Sequence, residues 1–205
     1  MSPAIVACAT ALPAHTALIR LSGEAACAIA RRAGLPLPDS WSWRAADWPL
    51  AGGSLPVRIL WCGAPRSFTG EDLVEVLVPG SPAVVELVLA TLRATGAQAA
   101  EPGGFARRAL ATGRLTLDRA EALLALATAP DAAAATRAIA RLRGALATEL
   151  EPVRLRLIQL RAAVEAGLDF AAEEGVSSYD PQRLRGELLA LRTVLAGWRC
   201  AASDL

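Results

Sequence analysis

A chain of 205 residues has room for one domain of about 100 to 150 residues and an appendage, each able to bury a core. Its 21 basic and 20 acidic side chains leave a net charge of +1, so no overall field draws it to nucleic acid and any RNA contact has to be local. The hydrophobic fraction of 54% is carried largely by alanine, and every apolar stretch meets a charge, a proline or a glycine well before the roughly 18 residues of a membrane span, which excludes a transmembrane helix.

All 21 basic residues are arginines. The lack of lysine removes Schiff-base chemistry and the lysine of a phosphate-binding loop. The segment from Met1 to Ala17 is apolar, but no basic residue precedes Arg20, so a secretory signal is not expected and the location implied is cytoplasmic. Cys8, Cys27, Cys62 and Cys200 lie far apart, form no paired motif, and read as free thiols without a metal or disulfide framework. His15 sits among prolines and alanines with no evident carboxylate partner, which argues for a loop histidine rather than a catalytic triad.

Ala4 to Thr10 and Thr16 to Ser22 read as strands around the turn-forming Leu12-Pro13-Ala14-His15, followed by a helix from Gly23 to Ala33 that ends at Gly34. Between Pro36 and Pro56, Trp41, Trp43 and Trp48 lie among prolines, glycines and small polar residues, the composition of a connection whose tryptophans cover a sheet or a partner. Pro56 to Trp61 alternates, with Val57, Ile59 and Trp61 on one face, and Leu73 to Val78 is a further strand. After Pro79-Gly80, Ser81 is placed to cap a helix with Pro82 in its first turn and Val85, Val88, Leu89 and Leu92 along one stripe as far as Gly96.

From about Leu117 the pattern turns helical throughout. A helix holding Ala120, Leu123, Leu124 and Leu126 stops at Pro130. Asp131 then opens a segment with Ile139, Leu142, Leu146, Leu150, Val153, Leu157, Leu160, Val164 and Leu168 spaced by three or four, which predicts one long helix bent near Pro152. Asp180-Pro181 starts a last helix striped by Leu184, Leu188, Leu191, Leu195 and Trp198. Two such stripes need each other and a further partner, so the bundle is expected to be incomplete or completed by another chain. The fold class expected is α+β, with a mixed-sheet domain over residues 1–116 and a partial helix bundle over 117–205.

The string Ser67-Phe68-Thr69-Gly70-Glu71-Asp72, with Leu73-Val74-Glu75-Val76 after it, closely resembles the SFTGED-x-x-E segment of the MnmE (TrmE) family of tRNA-modifying GTPases. Around it, Ile19-Arg20-Leu21-Ser22-Gly23 resembles the family's early strand-to-helix turn. Gly80 and Pro82 match part of a G-x-G-G-P element, and Pro102-Gly103-Gly104-Phe105 with Arg108-Ala109 resembles PGEF-x-x-RA. Leu115 through Ala122 resembles an L-D-L-x-x-A-E-A helix start, with Asp118 shifted by two. The resemblance covers about residues 4 to 175.

That resemblance implies an N-terminal folate-binding and dimerising α+β domain, followed by a helical domain that stops where the family's Ras-like G domain would begin. It implies a 5-formyl-tetrahydrofolate ligand, a homodimer, a flavoprotein partner, and tRNA contact through the assembled complex. The family's folate contacts map onto Arg20, Glu75 and, with arginine in place of lysine, Arg114. A carboxylate accepts the paired donors of a reduced pterin, and arginines suit the anionic glutamate tail. Glu75 points opposite to Val74 and Val76, where an acid is either solvated or paired. No G-x-x-x-x-G-K-[ST] occurs and the family's C-terminal C-x-G-K cysteine has no counterpart, so no GTP, potassium or magnesium site and no catalytic residue is expected, and the chain is not expected to act as an enzyme alone. The family's P-G-R-G-G turn reads Leu12 to Ala17 here, H-G-G reads Pro79-Gly80-Ser81, and the PGEF glutamate is Gly104. These changes leave a second reading open, a scaffold that keeps the fold and has lost the folate.

Overall fold

The computed structural model describes residues 3–39, 41–50, 52–169 and 180–203, with the backbone alone at 168, 169, 181 and 199–203. The chain divides into two compact units, Met1–Leu124 and Ala125–Leu205. In the first, β1 (Ile5–Cys8), β2 (Thr16–Ser22), β3 (Arg44–Leu50), β4 (Gly53–Cys62), β5 (Leu73–Pro79) and β6 (Gln98–Ala99) form one sheet in the order β3-β4-β5-β2-β1-β6. All neighbours are antiparallel except β1 and β6, which are parallel, so the sheet is mixed and the unit is α+β as its sequence suggests.

Alternation decides which face is covered. Val6, Ile19, Leu21, Ile59, Val74 and Val76 are almost wholly buried on one face, with helices α1 (Ala26–Arg32) and α2 (Pro82–Ala94) against them through Ile29, Val85, Val88 and Leu92. Ser81 stands at the N-cap of α2 with extended backbone, but its side chain makes no cap bond; Pro82 at the helix start needs none. The opposite face carries the row Ala7, Arg20, Glu75 and Leu60, aligned by register across β1, β2, β5 and β4.

The segment expected to be a connection contains β3 instead. Pro49 misleads because β3 is an edge strand, where a missing N–H removes no ladder bond. The hairpin to β4 turns through Gly52 at φ +100°, and β4 begins at Gly53 rather than Pro56. Trp48 is completely buried and its indole N–H donates to Ala33 O at 2.7 Å, fastening β3 to the end of α1. Trp41 and Trp43 are exposed. The first strand is shorter than expected, and α1 starts at Ala26, after Gly23 at φ +141° packs against Ala4. Gly80 is required by a close approach: a Cβ there would stand 2.2 Å from Ala14 O, where the β1–β2 turn bonds it through Ala14 N→Gly80 O and Gly80 N→His15 O. His15 itself is an exposed loop residue.

Neither β6 nor α3 (Gly104–Ala111) was apparent from the pattern; α3 follows Gly103 at φ +73°. After it comes α4 (Leu117–Ala127). In the second unit the expected long helix is two, α5 (Ala132–Leu142) and α6 (Ala145–Asp169). The break is at Gly144, φ +91°, a left-handed residue just past the Arg143 cap, whereas the helix continues through Pro152. Asp131 caps α5 by accepting from Ala134 N at 2.7 Å. Helix α7 (Pro181–Ser203) starts where Asp180 predicts and meets α6 through Arg156 and Glu187, 2.5 Å apart. Leu146, Leu150, Leu157, Leu188 and Leu195 of the two stripes are exposed, while Leu160 is buried. The side chains of Leu168 and Cys200 lie outside the described residues. No helix among the described residues is long and apolar enough to cross a membrane.

Candidate ligand site on the open sheet face

Arg20 and Glu75 are cross-strand partners on the sheet face opposite the core. Arg20 directs both Nε and Nη2 at Glu75 Oε1, at 2.8 and 2.7 Å, with the side chains 25% and 13% exposed. Glu75 is therefore paired rather than solvated. Its second oxygen accepts no hydrogen bond from the described residues. The Phe68 and Phe105 rings lie 5.5 and 5.7 Å from the Arg20 guanidinium carbon, within cation–π range, so the cation is held by one carboxylate and two aromatic walls.

Phe68 comes from the Ser67–Asp72 segment, most of which is architecture. Ser67 and Thr69 are buried; Thr69 Oγ1 is 2.7 Å from Ser22 Oγ, and Thr69 O accepts from Thr112 Oγ1 at 2.7 Å. Ser67 Oγ donates to Glu71 O. Gly70 is at φ +75°, and a Cβ there would come within 2.7 Å of Thr112 Oγ1 and 2.9 Å of Arg114 Cγ. Asp72 Oδ1 accepts from Ala64 N, and Asp72 O from Gly23 N, both at 3.0 Å. Arg114 is exposed and donates from Nε to Ser67 O at 3.2 Å. Of the three residues singled out in the sequence, Arg20 and Glu75 meet directly; Arg114 joins them only through the 67–68 segment.

Several neighbours were not singled out. Phe68 and Phe105 flank Arg20, Cys62 lies near both members of the pair, and Trp41 lies against Cys62; a short spacing could have exposed one of them, since Phe105 stands three residues before Arg108 on α3. The Cys62 thiol is pushed up chiefly by burial and then by the Glu75 charge, with Trp41 and Arg20 opposing. Arg66 stacks on Trp41 at 5.6 Å. At the end of the strands Cys27 is pushed up to about 11, by burial first and then by the charge and hydrogen bond of Asp72. The Trp61 indole N–H is buried with no acceptor among the described residues; a Cys27 thiolate would accept from it, which is why Trp61 acts slightly in the lowering direction. Among the described residues no cluster of His, Cys, Asp and Glu could hold a metal.

The raised Cys27 value has a consequence for stability. In the unfolded chain the thiol ionises near 9.0 and in the folded chain near 11, so the folded state's preference for the neutral thiol is fully present below pH 9.0 and lost as the pH rises through about 11. The urea midpoint is expected to hold steady through neutral pH and fall over that window, with a smaller fall in Cys27→Ala. Equal falls in both proteins would remove Cys27 as the cause.

Residues 4–114 match the model for the N-terminus of the GTP-binding protein TrmE. The chain belongs to the TrmE N-terminal family. It is 42% identical over 171 residues to a probable tRNA modification GTPase MnmE of Cyanidioschyzon merolae, covering 81% of this chain and 38% of that protein. It is also 38% identical to the tRNA modification GTPase MnmE of Halorhodospira halophila and 40% identical to that of Alkalilimnicola ehrlichii, each match covering 96% of this chain and respectively 43% and 45% of the relative. The chain thus spans about two-fifths of the length of the curated relatives it matches. The TrmE match includes Arg20, Glu75 and, as its last residue, Arg114.

Proposed function

We propose that this chain is the ligand-binding and dimerising module of a tRNA wobble-uridine modification GTPase, and that the open sheet face binds a reduced folate of the 5-formyl-tetrahydrofolate type. The observation that supports the reading best is the partly buried Arg20–Glu75 pair flanked by Phe68 and Phe105. A pterin is flat and carries adjacent ring and exocyclic N–H donors. Glu75 offers its second oxygen to them while Arg20 keeps the carboxylate oriented, and the two phenylalanines supply apolar edges for the ring. Arg114, exposed and tied at Nε, leaves its terminal nitrogens for the anionic glutamate tail. The fit is therefore to a ligand with a donor pair at one end and negative charge at the other. When bound, the folate supplies the one-carbon unit; the residues here bind it and orient it.

Nucleotide chemistry is assigned elsewhere in the assembled enzyme, because this chain has neither a lysine nor a glycine-rich phosphate loop. Work on tRNA, a cytoplasmic location, a homodimer and the flavoprotein partner belong to the same proposal. Calorimetric titration of the whole chain with 5-formyl-tetrahydrofolate is expected to give a saturable one-site isotherm, and GTP with magnesium none. The mutual neutralisation of Arg20 and Glu75 favours the scaffold as the second reading, since both charges are satisfied without a ligand. No heat and no thermal shift at millimolar folate would select it.

A further inference from the structure

We infer that Arg108 is the positioning residue of this site, fastened by its ion pair with Glu71 so as to set Phe68 and Phe105 around Arg20; its effect on ligand affinity rests on the folate reading, its effect on geometry does not. Arg108 Nη1 donates to Glu71 Oε2 at 2.6 Å and to Ser22 O at 3.3 Å, while Nη2 donates to Pro3 O. One guanidinium thus joins the segment before β1, the last residue of β2 and the loop between β4 and β5. The Arg108 and Glu71 side chains are 14% and 19% exposed, so the pair is mostly shielded from solvent. Glu71 Oε2 also accepts from Ser22 Oγ at 3.2 Å, and Ser22 Oγ meets Thr69 Oγ1, which carries the clasp on to the residue next to Phe68.

The same helix supplies the other wall. Phe105 and Arg108 are three residues apart on α3 and share a face, so what fixes Arg108 against Glu71 fixes Phe105 over Arg20. The other ties from this region to the loop, Thr112 to Thr69 and Arg114 to Ser67, end on neutral carbonyls and hold the loop's backbone rather than its position against β2. A lysine replaces the fork only in part, because a single ammonium keeps the charge opposite Glu71 but lacks the planar, divergent donors that reach three segments at once.

The test uses the whole chain and reads the Arg20 Nε–Hε NMR resonance without ligand, which responds to the Phe68 and Phe105 ring currents, and then the folate dissociation constant. Arg108→Met is expected to move that resonance and to weaken folate binding by roughly tenfold, on the scale of one decade per about 1.4 kcal/mol. Arg108→Lys should recover part of both, and Glu71→Gln should move the resonance in the same direction. Arg107→Met, which breaks only the exposed pair with Glu101, should change neither. If Arg108→Met does not fold, Glu71→Gln and Arg108→Lys decide alone. An Arg20 resonance unmoved in the folded variants overturns the positioning role. Movement of the resonance in a protein that binds no folate upholds the role and rejects the folate reading instead.

Discussion

Trp48→Ala is expected to destabilise the first unit by about 3–5 kcal/mol, the range for removing a large buried aromatic side chain. Trp48 is 0% exposed, and its ring fills the space between β3 and the end of α1. The substitution also leaves Ala33 O without its indole donor, and an unpaired buried carbonyl adds to the cost of the cavity. Urea denaturation with an unchanged slope should report the loss. Trp41→Ala at the 55% exposed position should stay within about 0.5 kcal/mol of the parent. A loss below about 1 kcal/mol at Trp48, against the expected scale, would show that the ring does not anchor the sheet.

Glu75→Gln is expected to weaken folate binding at least tenfold. Hydrogen bonds to a charged group contribute roughly 1.5–3 kcal/mol, and about 1.4 kcal/mol is one decade of affinity. The substitution acts twice. It replaces an acceptor facing the pterin donors by an amide donor, and it releases Arg20, whose Nε and Nη2 both end on the carboxylate oxygen that the charge holds. Arg114→Ala should weaken binding less, since its exposed guanidinium meets a solvated tail where ion pairs are screened. Calorimetry that finds equal affinity for Glu75→Gln and the parent would leave the fold intact and remove Glu75 from the site.

How much of this was legible in the sequence depended on the range of the interaction. Alternation alone places Arg20 opposite to Ile19 and Leu21, and Glu75 opposite to Val74 and Val76, because the strand period is local. Their meeting is not local: it depends on the register of β2 against β5 across 55 residues, which neither strand encodes separately. The resemblance of the Ser67–Asp72 segment drew attention to the right loop, but its composition could not separate the one residue facing the site, Phe68, from those that build the loop. Strand β3 was hidden by Pro49 and by the glycines of its hairpin, which look like loop chemistry until the strand is known to be an edge. The break between α5 and α6 was hidden by the periodicity, since Leu142 to Leu146 is a four-residue step whether or not Gly144 turns left-handed between them. Pro152 drew the bend instead, although the helix runs on through it.

Folate binding on the open sheet face is read by following the Arg20 Nε–Hε resonance while 5-formyl-tetrahydrofolate is titrated into the whole chain, with the assignment fixed by its loss in Arg20→Lys. A saturating shift at Arg20 is expected, with the same midpoint as the calorimetric isotherm, and no shift at the exposed Arg93 and Arg107. A resonance that stays fixed up to millimolar ligand, or a shift confined to arginines away from the Glu75 row, would contradict it.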